Sequence, residues 1–337
     1  MFRKGTNALL LAVVALFVVF AFSACANLSV SRLAANYHFA RANHLFTENK
    51  YRQAITEYEL TLKNNPKMTD AYRFLGESYK QLYKPGVDNR ENNERKAKAV
   101  EALTKALEFE PNNKDIIFSL GDMYDKLRDY EKAEKLYLRI IELEPTNMNN
   151  YYVVAEFYKR YAGEKKDAAK EAEAMYLRRI ETDPDSPQGY AYAANYYETL
   201  PVSPEHIQEA IDNFDTANSF WDKRIELEPK SAEAWLAKGV NRWTRAYRFQ
   251  MGVSREERLA VADDALKAIK KAIELDPTYP EAYAHMGPLY KAVFASLEPE
   301  KSAYYNAQGD IYVEKYLELR KKAAERKKLE EELKKTG

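Results

Sequence analysis

The sequence is poor in the residues from which small reactive sites are usually built. Only one of its 337 residues is cysteine, which excludes a disulfide framework and a cluster of thiolate metal ligands. No two of the eleven glycines lie within nine residues of each other, so neither a G-x-G-x-x-G turn nor a Walker loop can form. Lysine and arginine total 52, as do aspartate and glutamate, so the formal net charge is zero. This balance excludes nucleic-acid binding that is driven by the overall charge of the protein.

Histidine is also scarce, and the four histidines lack the H-x-x-x-H spacing of a helical zinc site. His38 and His44 are six residues apart, off a shared helical face. Asp122, Asp125 and Asp129 could line one helix surface, but basic residues interleave with them and no calcium-loop pattern surrounds them. We interpret these aspartates as solvated charge. We therefore expect no metal, no cofactor and no enzymatic activity.

What the chain has in quantity is apolar and aromatic residues. Hydrophobic residues make up 46% of the sequence, which is too apolar for a disordered chain and enough for a large core. Tyrosine occurs 26 times, and this count suggests a structural element that is repeated along the chain.

The N-terminus has the three-part order of a secretory signal. Basic residues at 3–4 precede an apolar run over 8–22, which is followed by small residues. The only thiol, Cys25, comes next, and the sequence FSAC at 22–25 resembles the lipobox of bacterial lipoproteins. It departs from that pattern in having Phe22 where an aliphatic residue is usual.

The lipobox resemblance implies how the N-terminus is processed and where the protein resides. Residues 1–24 would be a cleaved signal peptide, Cys25 would carry the acyl chains, and residues 25–34 would form the lipidated N-terminus and tether. Two or three acyl chains anchor a protein stably. Ala26 stands where an aspartate would resemble an inner-membrane retention signal, which favours the outer membrane with the protein facing the periplasm. An uncleaved membrane anchor and an ordinary cleaved signal remain open alternatives.

Short, similar segments recur along the rest of the chain. IELEP at 141–145 returns at 225–229, as IELDP at 273–277 and as IETDP at 180–184. Each segment closes on a proline that follows Glu or Asp, and a proline there ends a helix. Including two further units, the closing prolines are Pro66, Pro111, Pro145, Pro184, Pro229 and Pro277.

The unit that ends at Pro145 resembles the tetratricopeptide repeat. Pro111 and Pro145 are 34 residues apart, the length of that repeat. In other units Ala42, Ala155 and Ala194 stand where glycine is usual. The residues that match the pattern in this unit are Leu120, Gly121, Tyr124, Tyr130, Ala133, Tyr137 and Pro145.

The resemblance implies an all-α fold, a right-handed superhelical solenoid of about six to seven helix pairs over 35–302. A C-terminal capping helix and charged tail would occupy 303–337. The units longer than 34 residues have additional residues between their two helices. Two explanations remain open for these insertions: neutral variation of loop length, or a second docking surface. These insertions lie at 83–95, 160–166, 199–209 and 245–258.

The candidate site is the concave groove that the resemblance implies. Aromatic anchors beside charged groups are typical of peptide-binding grooves, because rings bury area and charges set register. The Lys/Asn pattern with which chaperone-binding relatives clamp a terminal carboxylate is absent, so we expect no ligand of that kind. The first-helix residues that the resemblance places on the groove are Phe39, Asn43, Phe46, Arg73, Glu77, Lys80, Phe118, Asp122, Asp125, Tyr152, Glu156, Lys159, Tyr192, Asn195, Glu198, Leu236, Val240 and Trp243.

The sequence therefore predicts a membrane-anchored scaffold for protein–protein interactions in the bacterial periplasm. It resembles tetratricopeptide lipoproteins of envelope, secretin or pilus assembly, and its partner would be a protein or peptide. Two alternatives are a lipoprotein that binds a glycan or small ligand, and a self-assembling protein whose terminal helix enters a neighbour's groove. An open, mixed-charge trough would favour a protein partner, whereas a closed pocket with converging rings and few like charges would favour a glycan.

Overall fold

The computed structural model describes residues 30–201 and 204–336, and every regular element in these ranges is a helix. The all-α prediction is confirmed. The lipidation prediction for Cys25 lies outside the described residues. Within the described ranges, none of the helices combines the length and apolar character needed to span a membrane.

Helices follow one another in pairs joined by short turns. They are α1 (residues 30–47), α2 (Tyr51–Asn64), α3 (Thr69–Leu82), α4 (Arg90–Phe109), α5 (Lys114–Lys126), α6 (Tyr130–Leu143), α7 (Met148–Arg160), α8 (Ala168–Thr182), α9 (Pro187–Thr199), α10 (Ile207–Leu227), α11 (Ala232–Arg248), α12 (Arg255–Leu275), α13 (Pro280–Pro288), α14 (Ala295–Leu297) and α15 (Ser302–Thr336). The chain divides into two compact units, Met1–Asn150 (unit 1) and Tyr151–Gly337 (unit 2).

The second helix of each of six pairs ends where the sequence predicts. The residue before each closing proline is the C-cap, and its backbone N–H still bonds a carbonyl in the last turn, as Glu110 does with Ala106 at 3.1 Å. The proline that follows has no N–H and restricts the residue before it, so the helix cannot continue. These C-caps are Asn65, Glu110, Glu144, Asp183, Glu228 and Asp276.

Small residues at the helix crossings let paired helices pack closely. In unit 1, a Cβ added to Gly76 on α3 would lie 2.6 Å from Cγ of the fully buried Leu103 on α4. In unit 2, a Cβ on Gly239 of α11 would lie 2.5 Å from Cγ1 of Ile269 on α12. Both glycines lie on first helices, as Gly121 does, and a side chain at either position would clash with the paired helix.

Two of the insertions, at 83–95 and 245–258, form turns that are followed by long helices. Asn92, near the start of α4, holds the 83–89 turn by donating to the carbonyls of Lys84 at 2.8 Å and Val87 at 2.7 Å. The insertion at 245–258 contains the turn between α11 and α12, at Met251 and Gly252. Gly252 has φ of 81°, a value that few residues other than glycine adopt, and it lies between α11 and the 21-residue α12.

Helix α15 packs its first half against the last repeat. After α13, whose Pro288 lacks an N–H, the chain passes through a π-helical turn, Leu289–Phe294, before α14. Within that turn, the Tyr290 ring centre lies 5.6 Å from that of Tyr312 on α15. From Arg320 onward the described side chains of α15 are exposed. The first half therefore buries rings while the second half carries charge into solvent.

Candidate functional site

Two of the three aromatic residues predicted for the groove of unit 1 pack among helices α1 to α3. The ring centre of Phe46 lies 5.4 Å from that of Phe74, and that of Phe39 lies 6.1 Å from that of Tyr58. Tyr58 is fully buried and its hydroxyl donates to Asn43 Oδ1 at 2.8 Å. Contacts between helices therefore already involve Phe39, Asn43 and Phe46.

The charged residues predicted for unit 1 pair with one another. Lys80 on α3, 6% exposed, places Nζ 2.9 Å from Glu77 Oε2 and 2.8 Å from Asp122 Oδ2 on α5. Arg73 on α3 likewise reaches Asp115 Oδ2 on α5 at 3.0 Å. Burial acts to raise the pKa of Asp122, but the ammonium groups of Lys80 and, to a smaller extent, Lys126 together outweigh burial and lower it. These charges join first helices of adjacent repeats.

The interpretation of the three aspartates near 125 as solvated charge is wrong. Asp122 is half-buried in the ion pair with Lys80, and Asp125 is buried. Asp129 is the N-cap of α6 and accepts from the backbone N–H of Lys132 at 3.4 Å. Sequence spacing could not show this because the lysine that pairs with Asp122 belongs to the previous repeat.

Phe118, the third aromatic residue predicted for the groove of unit 1, remains accessible. Its side chain is 43% exposed, and its ring centre lies 5.9 Å from that of Tyr137.

Unit 2 contains an open trough of about 800 Å³. Side chains from the three first helices α9, α11 and α13 line it, together with residues at the C-terminal end of α10. We call this feature the unit 2 trough. Its lining residues are Pro187, Gln188, Ala191, Tyr192, Asn195, Glu198, Trp221, Arg224, Glu228, Glu233, Leu236, Ala237, Val240, Tyr279, Glu281 and His285.

Glu198 is held in the trough by one of its two carboxylate oxygens. Oε1 accepts from Trp221 Nε1 at 2.8 Å and from Asn241 Nδ2 at 2.7 Å. Oε2 has no hydrogen-bond partner among the residues that the structure describes. Burial raises the pKa of Glu198, while the two donors act in the opposite direction. One oxygen therefore fixes the side chain, and the other remains available to accept.

The charge of the trough is predominantly negative. Four glutamates line it with one arginine, and that arginine is already engaged. Arg224 pairs through Nε with Glu228 and through Nη2 with Glu233 Oε1 at 3.0 Å. Burial lowers the pKa of His285, which favours its neutral form at pH 7. Four negative charges and one positive charge leave the lining at −3.

Tyr192 forms part of a stack at the edge of the trough. Its ring centre lies 4.5 Å from that of Tyr152 on α7, with the planes 27° apart. The guanidinium carbon of Arg179 lies 4.4 Å from the Tyr192 ring centre, although the arginine side chain is only 2% exposed. Burial lowers the pKa of Arg179, and Tyr192 partly compensates. This stack is consistent with cation–π stabilisation of a buried arginine.

The structure brings together some of the predicted groove residues of unit 2 and separates others. Trp243 is stacked on Tyr247 at 5.7 Å and lies 5.8 Å from His285, outside the trough lining. Glu156 accepts from the Tyr176 hydroxyl and pairs with Lys159 at 3.6 Å, also outside the lining. Those that line the trough are Tyr192, Asn195, Glu198, Leu236 and Val240.

Several lining residues were not among those predicted from the repeat pattern. Trp221 and Arg224 belong to the second helix α10, whereas the pattern places only first-helix residues on the groove. Glu281 and His285 lie one helical turn apart on α13, the same i, i+4 relation as Gln188 and Tyr192 on α9. The i, i+4 spacing of Glu281 and His285 could therefore have been recognised in the sequence as marking lining residues. No corresponding sequence signal marks those on α10.

Comparison with known sequence families agrees with the helix-pair architecture. Family profiles described as tetratricopeptide repeat match residues 39–82 and 102–135. These two segments are tetratricopeptide repeats. The matched ranges contain the crossing glycine Gly76 and the close contact at Gly121, whose added Cβ would lie 3.0 Å from Tyr137. A search of curated proteins finds no significant match to the sequence.

One solved structure shares the fold over most of the chain, and others are similar to parts of it. The C-terminal part of a TPR repeat-containing protein from Cytophaga hutchinsonii is 14% identical, with a TM-score of 0.54 over 83% of this chain and 95% of that one. MamA is 19% identical over 59% of this chain and 94% of its own, with a TM-score of 0.43. YrrB, a TPR protein with an unusual peptide-binding site, is 22% identical over 60% of this chain and 90% of its own, with a TM-score of 0.37. The predicted all-α tetratricopeptide fold is confirmed.

Proposed function

We propose that this protein is a lipid-anchored tetratricopeptide scaffold that binds a protein or peptide partner in the unit 2 trough. Cys25 would carry the acyl chains and hold the repeats at the outer membrane, facing the periplasm, where the partner belongs to envelope, secretion or pilus assembly. The tetratricopeptide repeats support an interaction scaffold that does no chemistry. The anchor rests on the FSAC sequence at 22–25.

The observation that carries the proposal is the character of the trough. It is open, about 800 Å³ in volume, and combines apolar walls such as Leu236 and Val240 with five charged groups. A sugar site would bring several rings together around a closed cavity, and like charges would be few. The four glutamates and the exposed Asn195 instead suit an extended segment that alternates apolar and polar side chains.

Site-specific photo-crosslinking in cells tests the partner. We would replace the exposed, trough-lining Asn195 with p-benzoylphenylalanine, illuminate intact cells, and identify crosslinked proteins by mass spectrometry after detergent solubilisation. Glu209, exposed on α10 and outside the trough lining, is the matched control position. We expect one stoichiometric envelope protein from position 195 and not from position 209. Crosslinks only to a second copy, or none above background at position 195, would contradict the proposal.

The anchor is tested separately by Cys25→Ser. Because acylation needs the thiol, the variant should either leave the membrane fraction or retain its signal segment and the corresponding extra mass. Intact-protein mass spectrometry and membrane fractionation measure both outcomes. A variant with the same mass and the same membrane partition as the wild-type protein would show that Cys25 is not the lipidation site.

A further inference from the structure

We infer that the segment bound in the unit 2 trough carries an arginine or lysine side chain whose charged group is accepted by Glu198 Oε2. The inference rests on the proposed function, since it names the chemistry of the partner that the trough would hold. Glu198 supplies the specific contact, and the surrounding charge supplies the selectivity.

The first argument is the unsatisfied half of the Glu198 carboxylate. Trp221 and Asn241 both donate to Oε1, so the orientation of the side chain is set before any ligand arrives. Oε2 is left without a donor in the described part of the chain, on a side chain that is only partly buried and lines the open trough, where a ligand can reach it. A charge-assisted hydrogen bond is the strongest contact that such a carboxylate oxygen can accept. An ammonium or guanidinium group provides that donor.

The second argument is the charge that surrounds Glu198. The trough lining has a net charge of −3, because it has four glutamates and one arginine, and Arg224 is paired with Glu228 and Glu233. The buried Arg242 also attracts the Glu198 carboxylate, but its guanidinium bonds Asp215 and the Phe214 carbonyl. A negative lining attracts a cationic segment and disfavours an acidic one. The carboxylates of unit 1 differ in this respect, since Asp122 and Glu77 both contact Lys80 of the same chain.

The third argument is the pair of aromatic side chains that line the trough with the Glu198 carboxylate. The Trp221 indole is within hydrogen-bonding distance of Glu198, and Tyr192 lines the same trough. Tyr192 already stacks on Tyr152 and holds Arg179, and Arg224 lies 5.7 Å from the Trp221 ring centre, so these rings add no new cation–π contact. Their contribution is packing against the aliphatic stem of arginine or lysine. Short or acidic side chains would gain less from this packing and nothing from the net charge.

Peptide binding to the full-length protein in dodecyl maltoside tests the inference. The probes are fluorescein-labelled nonapeptide pools, each with one residue fixed at the central position and uncharged residues at random elsewhere. The fixed residues are Arg, Lys, Gln and Glu. Fluorescence anisotropy should show the Arg and Lys pools binding about tenfold more tightly than the Gln pool, the effect of one charge-assisted hydrogen bond. Binding of the Glu pool should be weaker still.

Glu198→Gln is the decisive variant because it keeps the Oε1 acceptor for Trp221 and Asn241 and removes the charge. It should reduce the preference for Arg over Gln by about tenfold, while Glu209→Gln, on the exposed part of α10, should leave that preference unchanged. If Glu198→Gln lowers the melting temperature, Glu281→Gln at the exposed end of α13 provides a second test. This variant should also reduce the preference for the Arg pool over the Gln pool, by a smaller factor.

The other outcomes separate this inference from the proposed function. Equal binding of all four pools, together with a partner crosslinked at position 195, would retain the scaffold and overturn the cationic partner. A peptide of residues 318–337 that competes better than the Arg pool would identify a second copy as the occupant and overturn a separate partner. No binding by any pool, with no crosslink at position 195, would overturn both.

Discussion

Lys80 Nζ on α3 lies 2.8 Å from Asp122 Oδ2 on α5, and 6% of the lysine side chain is exposed. The same ammonium lies 2.9 Å from Glu77 Oε2, so one buried cation compensates two carboxylates on neighbouring first helices. Removing the cation would leave Glu77 without its lysine and Asp122 with only the exposed Lys126, whose Nζ lies 3.4 Å from Oδ1. Such a loss is destabilising even when the intact pair contributes little.

Lys80→Met should therefore destabilise the protein by about 2 kcal/mol, less than a fully buried pair would lose, because Asp122 is partly exposed. Methionine keeps most of the apolar stem, so the change reports mainly on charge. Urea unfolding followed by circular dichroism measures the difference. Lys126→Met is the control, since Lys126 is exposed and its Nζ lies 3.4 Å from Asp122 Oδ1. Equal losses for the two variants would contradict the role of burial.

The same ion pair predicts a pH dependence. The folded pKa of Asp122 is lowered by Lys80 against the effect of burial, so the stabilisation is fully present above the unfolded pKa of about 3.9. It is lost as the pH falls through the lower folded value. The stability difference between wild-type protein and Asp122→Asn should thus be constant from about pH 7 to pH 5 and shrink below about pH 4. A difference that grows on acidification would contradict this assignment.

A second prediction concerns the close helix crossing in unit 2. Gly239→Ala should destabilise the protein by about 1–3 kcal/mol, because the new Cβ would lie 2.5 Å from Ile269 Cγ1, which is fully buried. Gly163→Ala is the matched control, as nothing lies within 4 Å of its added Cβ, and it should change stability by less than about 0.5 kcal/mol. Thermal unfolding of both variants measures the difference, and a neutral Gly239→Ala would show that the helices separate without cost.

The architecture was largely readable from the sequence, whereas the site was readable only in part. Prolines such as Pro111 fix helix ends through local chemistry, and Gly76 and Gly239 mark close crossings, so helix order and pairing follow from short-range rules. The Glu198 site depends on Asn241, 43 residues away, and on Trp221 from a second helix. No local pattern encodes contacts of that range. Buried charges such as Arg179 were missed because charge normally predicts exposure.

A third prediction follows from His285, which lines the trough. Burial lowers its pKa, with a smaller opposing effect of Glu281, so the folded state resists a proton that the unfolded state accepts below about pH 6.5. The stabilisation is present above that pH and falls as the pH drops toward the folded pKa. His285→Gln should flatten the decline of melting temperature between about pH 6.5 and pH 5. The exposed His44 gives the control His44→Gln, which should retain the wild-type slope.

The last prediction concerns two buried arginines of α11 that share one carboxylate of α10. Asp215 Oδ1 lies 2.8 Å from Arg242 Nη1 and 2.8 Å from Arg245 Nε, and both arginine side chains are buried. Arg245 also reaches Glu257 Oε1 at 2.8 Å, so it keeps one carboxylate when Asp215 is lost. Arg242 keeps only neutral acceptors, the Phe214 carbonyl at 2.9 Å and Asn241 Oδ1 at 2.9 Å.

Asp215→Asn should therefore destabilise the protein by about 3 kcal/mol, because it leaves the buried Arg242 guanidinium with no described carboxylate in direct contact and only the longer-range attraction of Asp264. For a unit of the size of unit 2, that loss lowers the melting temperature by roughly 6–12 °C. Asp212→Asn, one turn earlier on α10 and exposed, should shift it by less than about 2 °C. Adding Arg242→Met to Asp215→Asn should recover part of the loss, since the unpaired charge is then gone. A double variant no more stable than Asp215→Asn would mean that the carboxylate acts through packing instead of charge.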